Sequence, residues 1–175
     1  MLIMITFAEY LAENSVNEAS EMKFAEFKSA VEKAYAKYFP KSFVSVSVFK
    51  ILGSYIDVKC YLANDNKECP SGYWDNDVFK VHMVADLPRD YKDGDVLPEM
   101  LTFEIKSNVI FKSSTDRAYA FQHEKVALRK FKGTPEQCIK KLDAVFKKVH
   151  DVIKAIEKED RLTDNAKELF AKKGY

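Results

Sequence analysis

The chain predicts an α+β fold: a five-stranded antiparallel meander with two long helices packed on one face, plus short helices at the ends. Apolar residues recur with the helical period before Pro40 and after Gly133, and alternate with period two in between. Four of the intervening strands carry one apolar and one polar side, as an antiparallel sheet covered on a single face requires. With 175 residues, 47% hydrophobic and 31% charged, the chain suffices for one domain with a sizeable core.

The elements follow in order. Residues 1–13 form a short leader in which Phe7, Tyr10 and Leu11 share one side of a helix while Glu9 and Glu13 face elsewhere. A helix this short is marginal alone. It must dock on the domain, enter a partner's groove or be read by a processing enzyme. The domain proper spans 14–160. Ser15-x-x-Glu18 has capping-box spacing, and Phe24, Phe27, Val31, Tyr35 and Tyr38 extend a helix to the stop at Phe39-Pro40. Val44, Val46 and Val48 alternate with serines; Ile56, Val58, Cys60 and Leu62 alternate with polar residues, and Gly53-Ser54 joins the two runs as a hairpin.

Phe79, Val81, Met83 and Ala85 mark a third strand, and Leu101, Phe103, Ile105, Val109 and Phe111 a long fourth. The fifth, roughly 118–131, changes phase between Phe121 and Val126, which predicts a bulge near His123 to Lys125. Its outer edge would be unpaired, which admits a homodimer. Thr134-Pro135-Glu136-Gln137 then opens a second long helix whose apolar face runs from Ile139 to Ile156. Residues 161–175 supply a short helix or tail with a thin apolar face in Ala166, Leu169 and Phe170, which suits a mobile segment or an interaction tail.

Chemistry is sparse. The five glycines are isolated, so neither a P-loop nor a dinucleotide fingerprint is present, and no Gly-x-Ser-x-Gly elbow occurs. The expectation is a non-enzyme with no cofactor and no metal. Cys60, Cys69 and His82 fall short of a four-ligand zinc set, and the Asp-rich stretches near Asp65, Asp75 and Asp93 read as turns rather than calcium loops. An enzyme assembled from distant residues would draw on His82, His123, Glu104 and Asp57. Cys60 and Cys138 sit at apolar positions and read as core residues. No apolar run approaches the roughly 18 residues of a membrane span, and residues 1–5 lack a basic flank, so an intracellular protein away from membranes is expected.

Two surfaces stand out. The loop from Asn64 to Asn76 holds Tyr73 and Trp74, the chain's single Trp, and the connection from Leu87 to Met100 holds Tyr91. These three aromatics are the candidate partner-binding residues, since Trp and Tyr dominate binding hot spots; the other reading of Trp74 is a plug over the core. Charge is uneven as well: residues 1–111 carry 12 Lys and Arg against 17 Asp and Glu, and residues 112–175 carry 16 against 10. Lys112, Arg117, Lys125, Arg129, Lys130 and Lys132, interleaved with Tyr119, Phe121 and Phe131, form a candidate nucleic-acid surface. Opposing that reading are a pI near 7.6 and the carboxylates Asp57 and Glu104 among the sheet's polar positions.

The leader Met4-Ile5-Thr6-Phe7-Ala8-Glu9-Tyr10-Leu11-Ala12-Glu13 resembles the capsid-targeting segment of internal head proteins of T-even-type tailed bacteriophages. The resemblance rests on Met4, Thr6, Phe7, Tyr10, Leu11, Ala12 and Glu13, about a tenth of the chain; Ile5, Ala8 and Asn14 depart from the family pattern. It implies packaging in the virion interior, cleavage after Glu13 of the Leu11-x-Glu13 step to leave Asn14 first, and delivery into the host-cell cytoplasm. It implies further that the partner is a host protein, for example a nuclease or other defence factor that the protein inhibits. The alternative expectation is a small intracellular nucleic-acid-binding module.

Overall fold

The computed structural model of the chain describes residues 21–62, 79–112 and 121–173. Its elements are α1 (Phe24–Ala36), β1 (Phe43–Phe49), β2 (Ser54–Leu62), β3 (Phe79–Leu87), β4 (Leu101–Lys112), β5 (Phe121–Gly133), α2 (Pro135–Lys158) and α3 (Asp164–Lys173). The five strands pair antiparallel in chain order, β1-β2-β3-β4-β5, which is the predicted meander.

Residues 21 and 22 are not helical, and Lys23 is extended, bridging Val96; α1 begins at Phe24 rather than running through from Ser15. The local cause is Glu26, whose carboxylate accepts the Lys23 N–H at 2.8 Å and closes the first turn from within. The Ser15 capping box lies outside the described residues. At the other end, Ser42 Oγ donates to Tyr35 Oη at 2.6 Å and ties the exit of α1 to the start of β1.

Helix α2 starts where the sequence places it. The Gln137 N–H donates to Thr134 Oγ1 at 3.2 Å and the Thr134 N–H donates to Gln137 Oε1 at 3.0 Å. A Cβ at Gly133 would lie 2.6 Å from that same Oε1, so a larger residue there would have to shift the Gln137 side chain out of the box. The helix ends in a Schellman arrangement: Asp160 is left-handed (φ 53°), its N–H donates to the Glu157 carbonyl and the Arg161 N–H to the Ile156 carbonyl, both at 3.0 Å.

Both long helices lie on the same face of the sheet, where Val46, Ile56, Val58, Met83, Ile105 and Phe146 are among the buried core residues. Phe27, Val31 and Tyr35 come from α1; Leu142, Phe146 and Val149 come from α2. Tyr35 meets Phe146 edge-on at 5.1 Å, and Phe39 meets Phe79 at 4.3 Å. Such aromatic contacts add to the area term that dominates burial. Cys60 and Cys138 are fully buried and their thiols are pushed up by burial, Cys138 to about 12, so both behave as small apolar side chains. Leu162, Ala166, Leu169 and Phe170 belong to this same core, so the apolar side of α3 is packed rather than offered to a partner.

The predicted bulge is present, displaced by one residue. Ser107 pairs with Ala127 and Asn108 with Lys125, leaving Val126 as the extra residue in β5.

Candidate functional site

The face of the sheet opposite the helices gathers the polar positions of β1 to β4. Because directly paired residues of antiparallel strands share a face, the registers fix its rows. One row reads Ser47, Asp57, Val84, Glu104, Lys130; the next reads Ser45, Lys59, His82, Lys106. Carboxylates and cations therefore stand in adjacent rows. At the two ends of the β1–β2 pair, Phe43 stacks on Tyr61 at 4.5 Å and Phe49 on Tyr55 at 5.7 Å.

The centre of this face is Asp57, whose residue is 5% exposed although it lies on the polar side. His82 Nε2 lies 2.6 Å from its Oδ1, and Lys59 Nζ lies 3.2 Å from its Oδ2. Burial pushes the Asp57 carboxyl up, but the hydrogen bond and charge of His82, with those of Lys59, outweigh it and hold the group below the usual carboxylate range. Further along, Lys106 and Glu104 pair at 3.4 Å.

An Asp–His pair invites a triad, and the register argues against one with the nearby serines. Ser45 lies two strands from His82, about 9.5 Å at the usual strand spacing and beyond hydrogen-bond reach. Ser47 faces Asp57, not the imidazole. The pair thus acts as a clasp between β2 and β3. Two concavities lined by described residues lie elsewhere: about 170 Å³ beside Tyr38, His150, Ile153 and Phe170, and about 420 Å³ at the β1–β2 turn beside Leu52 and Arg89. The first is smaller than sites that hold drug-sized ligands. Among the described residues no group of three or more His, Cys, Asp or Glu is disposed to hold a metal. No described helix is long and apolar enough to cross a membrane.

Of the residues singled out from sequence, Leu11, Glu13 and Asn14 lie outside the described residues, as do Tyr73, Trp74 and Arg117. Tyr91 does not join an exposed aromatic surface. It is 6% exposed, it packs in the core, and its hydroxyl donates to the Asp95 carbonyl at 3.2 Å. Burial, then the nearby carboxylates Asp95 and Asp93, raise its hydroxyl above the usual tyrosine range. Its connection is held down by Leu97, which is buried and donates its N–H to the Met22 carbonyl. Lys112, Lys125 and Arg129 fall on β4 and β5, with side chains outside the description. Lys130 and Lys132 are exposed, and Lys130 pairs in register with Glu104. Asp57 and His82 do converge, and the signal was available: both occupy polar positions of neighbouring strands, needing only the register to unite them.

Comparison with protein-family models, with curated proteins and with solved structures finds no match to this chain.

Proposed function

We propose that the protein acts without catalysis, by binding a host protein through the sheet face centred on Asp57, and that it reaches its host as a packaged bacteriophage protein. The observation that supports protein over nucleic acid is the interleaving of charge: Asp57 and Glu104 stand in the row beside Lys59, His82 and Lys106. A phosphate backbone needs a continuous cationic track, and carboxylates within it oppose every contact. A protein surface with its own alternating charges complements such a face, and flanking aromatics such as Phe43 and Phe49 supply the apolar contact. Delivery by phage rests on the leader from Met4 to Glu13.

Two experiments test the two parts. Titration of single- and double-stranded oligonucleotides at low salt is expected to show no saturable binding; saturable binding that weakens steeply with salt would favour the nucleic-acid module instead. Intact mass spectrometry of the protein from purified particles is expected to show a species beginning at Asn14. A full-length species confined to the cell would remove the phage-delivery reading.

A further inference from the structure

The edge strand β1 has a sequence with an unusual property. Phe43-Val44-Ser45-Val46-Ser47-Val48-Phe49 reads identically in both directions, and these seven residues are the whole strand. Its inner edge pairs with β2 without interruption from Phe43↔Tyr61 to Phe49↔Tyr55. Its outer edge has no strand beside it among the described residues.

Edge strands are normally protected by charge, proline, a bulge or a covering element. β1 contains no charged residue, proline, glycine or bulge. The opposite edge strand, β5, has both devices: exposed Lys130 and Lys132, and the bulge at Val126. Among the described residues, one edge of this sheet is defended and the other is not.

We propose that the outer edge of β1 binds the β1 edge of a second copy of this chain, antiparallel and centred on Val46, joining two sheets into one of ten strands. Two-fold symmetry demands a self-complementary strand. In this register Phe43 faces Phe49 of the second copy, Val44 faces Val48, Ser45 faces Ser47, and Val46 faces itself. Every apolar residue meets an apolar one and every hydroxyl a hydroxyl, with no charge opposed. The register also keeps residues of one parity together, so Val44, Val46 and Val48 of both copies stay on the helix-covered side. A slip by one residue would set the core side of one copy against the polar side of the other.

A second feature lies at the same place. Ile51 and Leu52, at the β1–β2 turn, are 70% and 105% exposed, the two most exposed large hydrophobics among the described residues. Continued past Phe49, the same register carries them toward Lys41 and Pro40 of the second copy. A seven-residue edge with such flanks is a small interface, which implies a dimer of micromolar strength rather than an obligate one.

Sedimentation velocity of the full chain, over roughly two decades of concentration around the micromolar range, tests the proposal. The native chain is expected to pass from monomer to dimer. The double variant Ser45→Lys, Ser47→Lys sets like charges opposite each other on both sides of the axis, and is expected to stay monomeric. The double variant Ser45→Glu, Ser47→Lys sets opposite charges there, and is expected to dimerise at least as well as the native chain. A native chain monomeric throughout, or variants that dimerise alike, would overturn the proposal. Because Ser45→Lys also faces Lys59 within the hairpin, a gentler pair of variants guards against misfolding. Ser45→Cys mixed with Ser47→Cys is expected to form disulfide-linked heterodimers faster than either variant alone, and equal rates would contradict the register.

Discussion

At Asp57 burial and pairing act in opposite senses on one carboxyl, and the pairing prevails. A group whose folded pKa lies below its unfolded value adds stability above the unfolded pKa, near 3.9, and loses it as pH falls through the folded one. Replacing Asp57 by Asn is therefore expected to cost about 1–3 kcal/mol at neutral pH, since it replaces hydrogen bonds made by an ionised carboxylate with weaker ones. The gap to the native chain should then narrow as pH falls from about 5 to about 2, because Asn does not titrate. Urea unfolding across that range checks this, and parallel curves would contradict the clasp. Ser107 presents the opposite case. It is 5% exposed beside the bulge, and its buried hydroxyl oxygen has no hydrogen-bond partner among the described residues. Ser107→Ala removes a desolvated hydroxyl that gains nothing in return, and is expected to raise stability by about 1 kcal/mol, read as a higher denaturant midpoint at unchanged slope.

At the scale of elements, the sequence carried most of the strand and helix content because local chemistry and tertiary packing agree. Thr134, Pro135 and Gln137 specify the start of α2 through bonds made within a single turn. Thr134→Ala is expected to cost about 1 kcal/mol. Its effect should be non-additive with Gln137→Ala in thermal or chemical unfolding, because the two side chains close one box. The start of α1 was not legible, since Lys is not a usual capping residue and the bridge from Lys23 to Val96, which joins the Glu26 contact in fixing this boundary, comes from more than seventy residues away in the chain. The bulge was legible as a phase change but misplaced by one residue, because only pairing with Ser107 and Asn108 shows Val126 to be the one left over. Tyr91 was misread for a related reason. A loop rich in Pro, Asp and Gly looks exposed, yet Leu97 and Tyr91 anchor it in the core.

For the whole molecule, the two-layer arrangement divides the work. Helices α1 and α2 cover one face and hold the core together, with Lys37 and Asp143 joining them at 3.2 Å. The other face gathers Asp57, Lys59, His82, Glu104 and Lys106 from three strands, a cluster no local motif announces because its three parts, Asp57 with Lys59, His82, and Glu104 with Lys106, come from separate strands. The proposed function assigns that face to a protein partner. A photo-crosslinking amino acid placed at Lys106, with one at the exposed Lys140 of α2 as control, tests this directly in the cells where the protein acts. A discrete protein adduct is expected from position 106, diminished by Asp57→Asn and not given by position 140. Adducts to nucleic acid from position 106, or the same adducts from both positions, would contradict it.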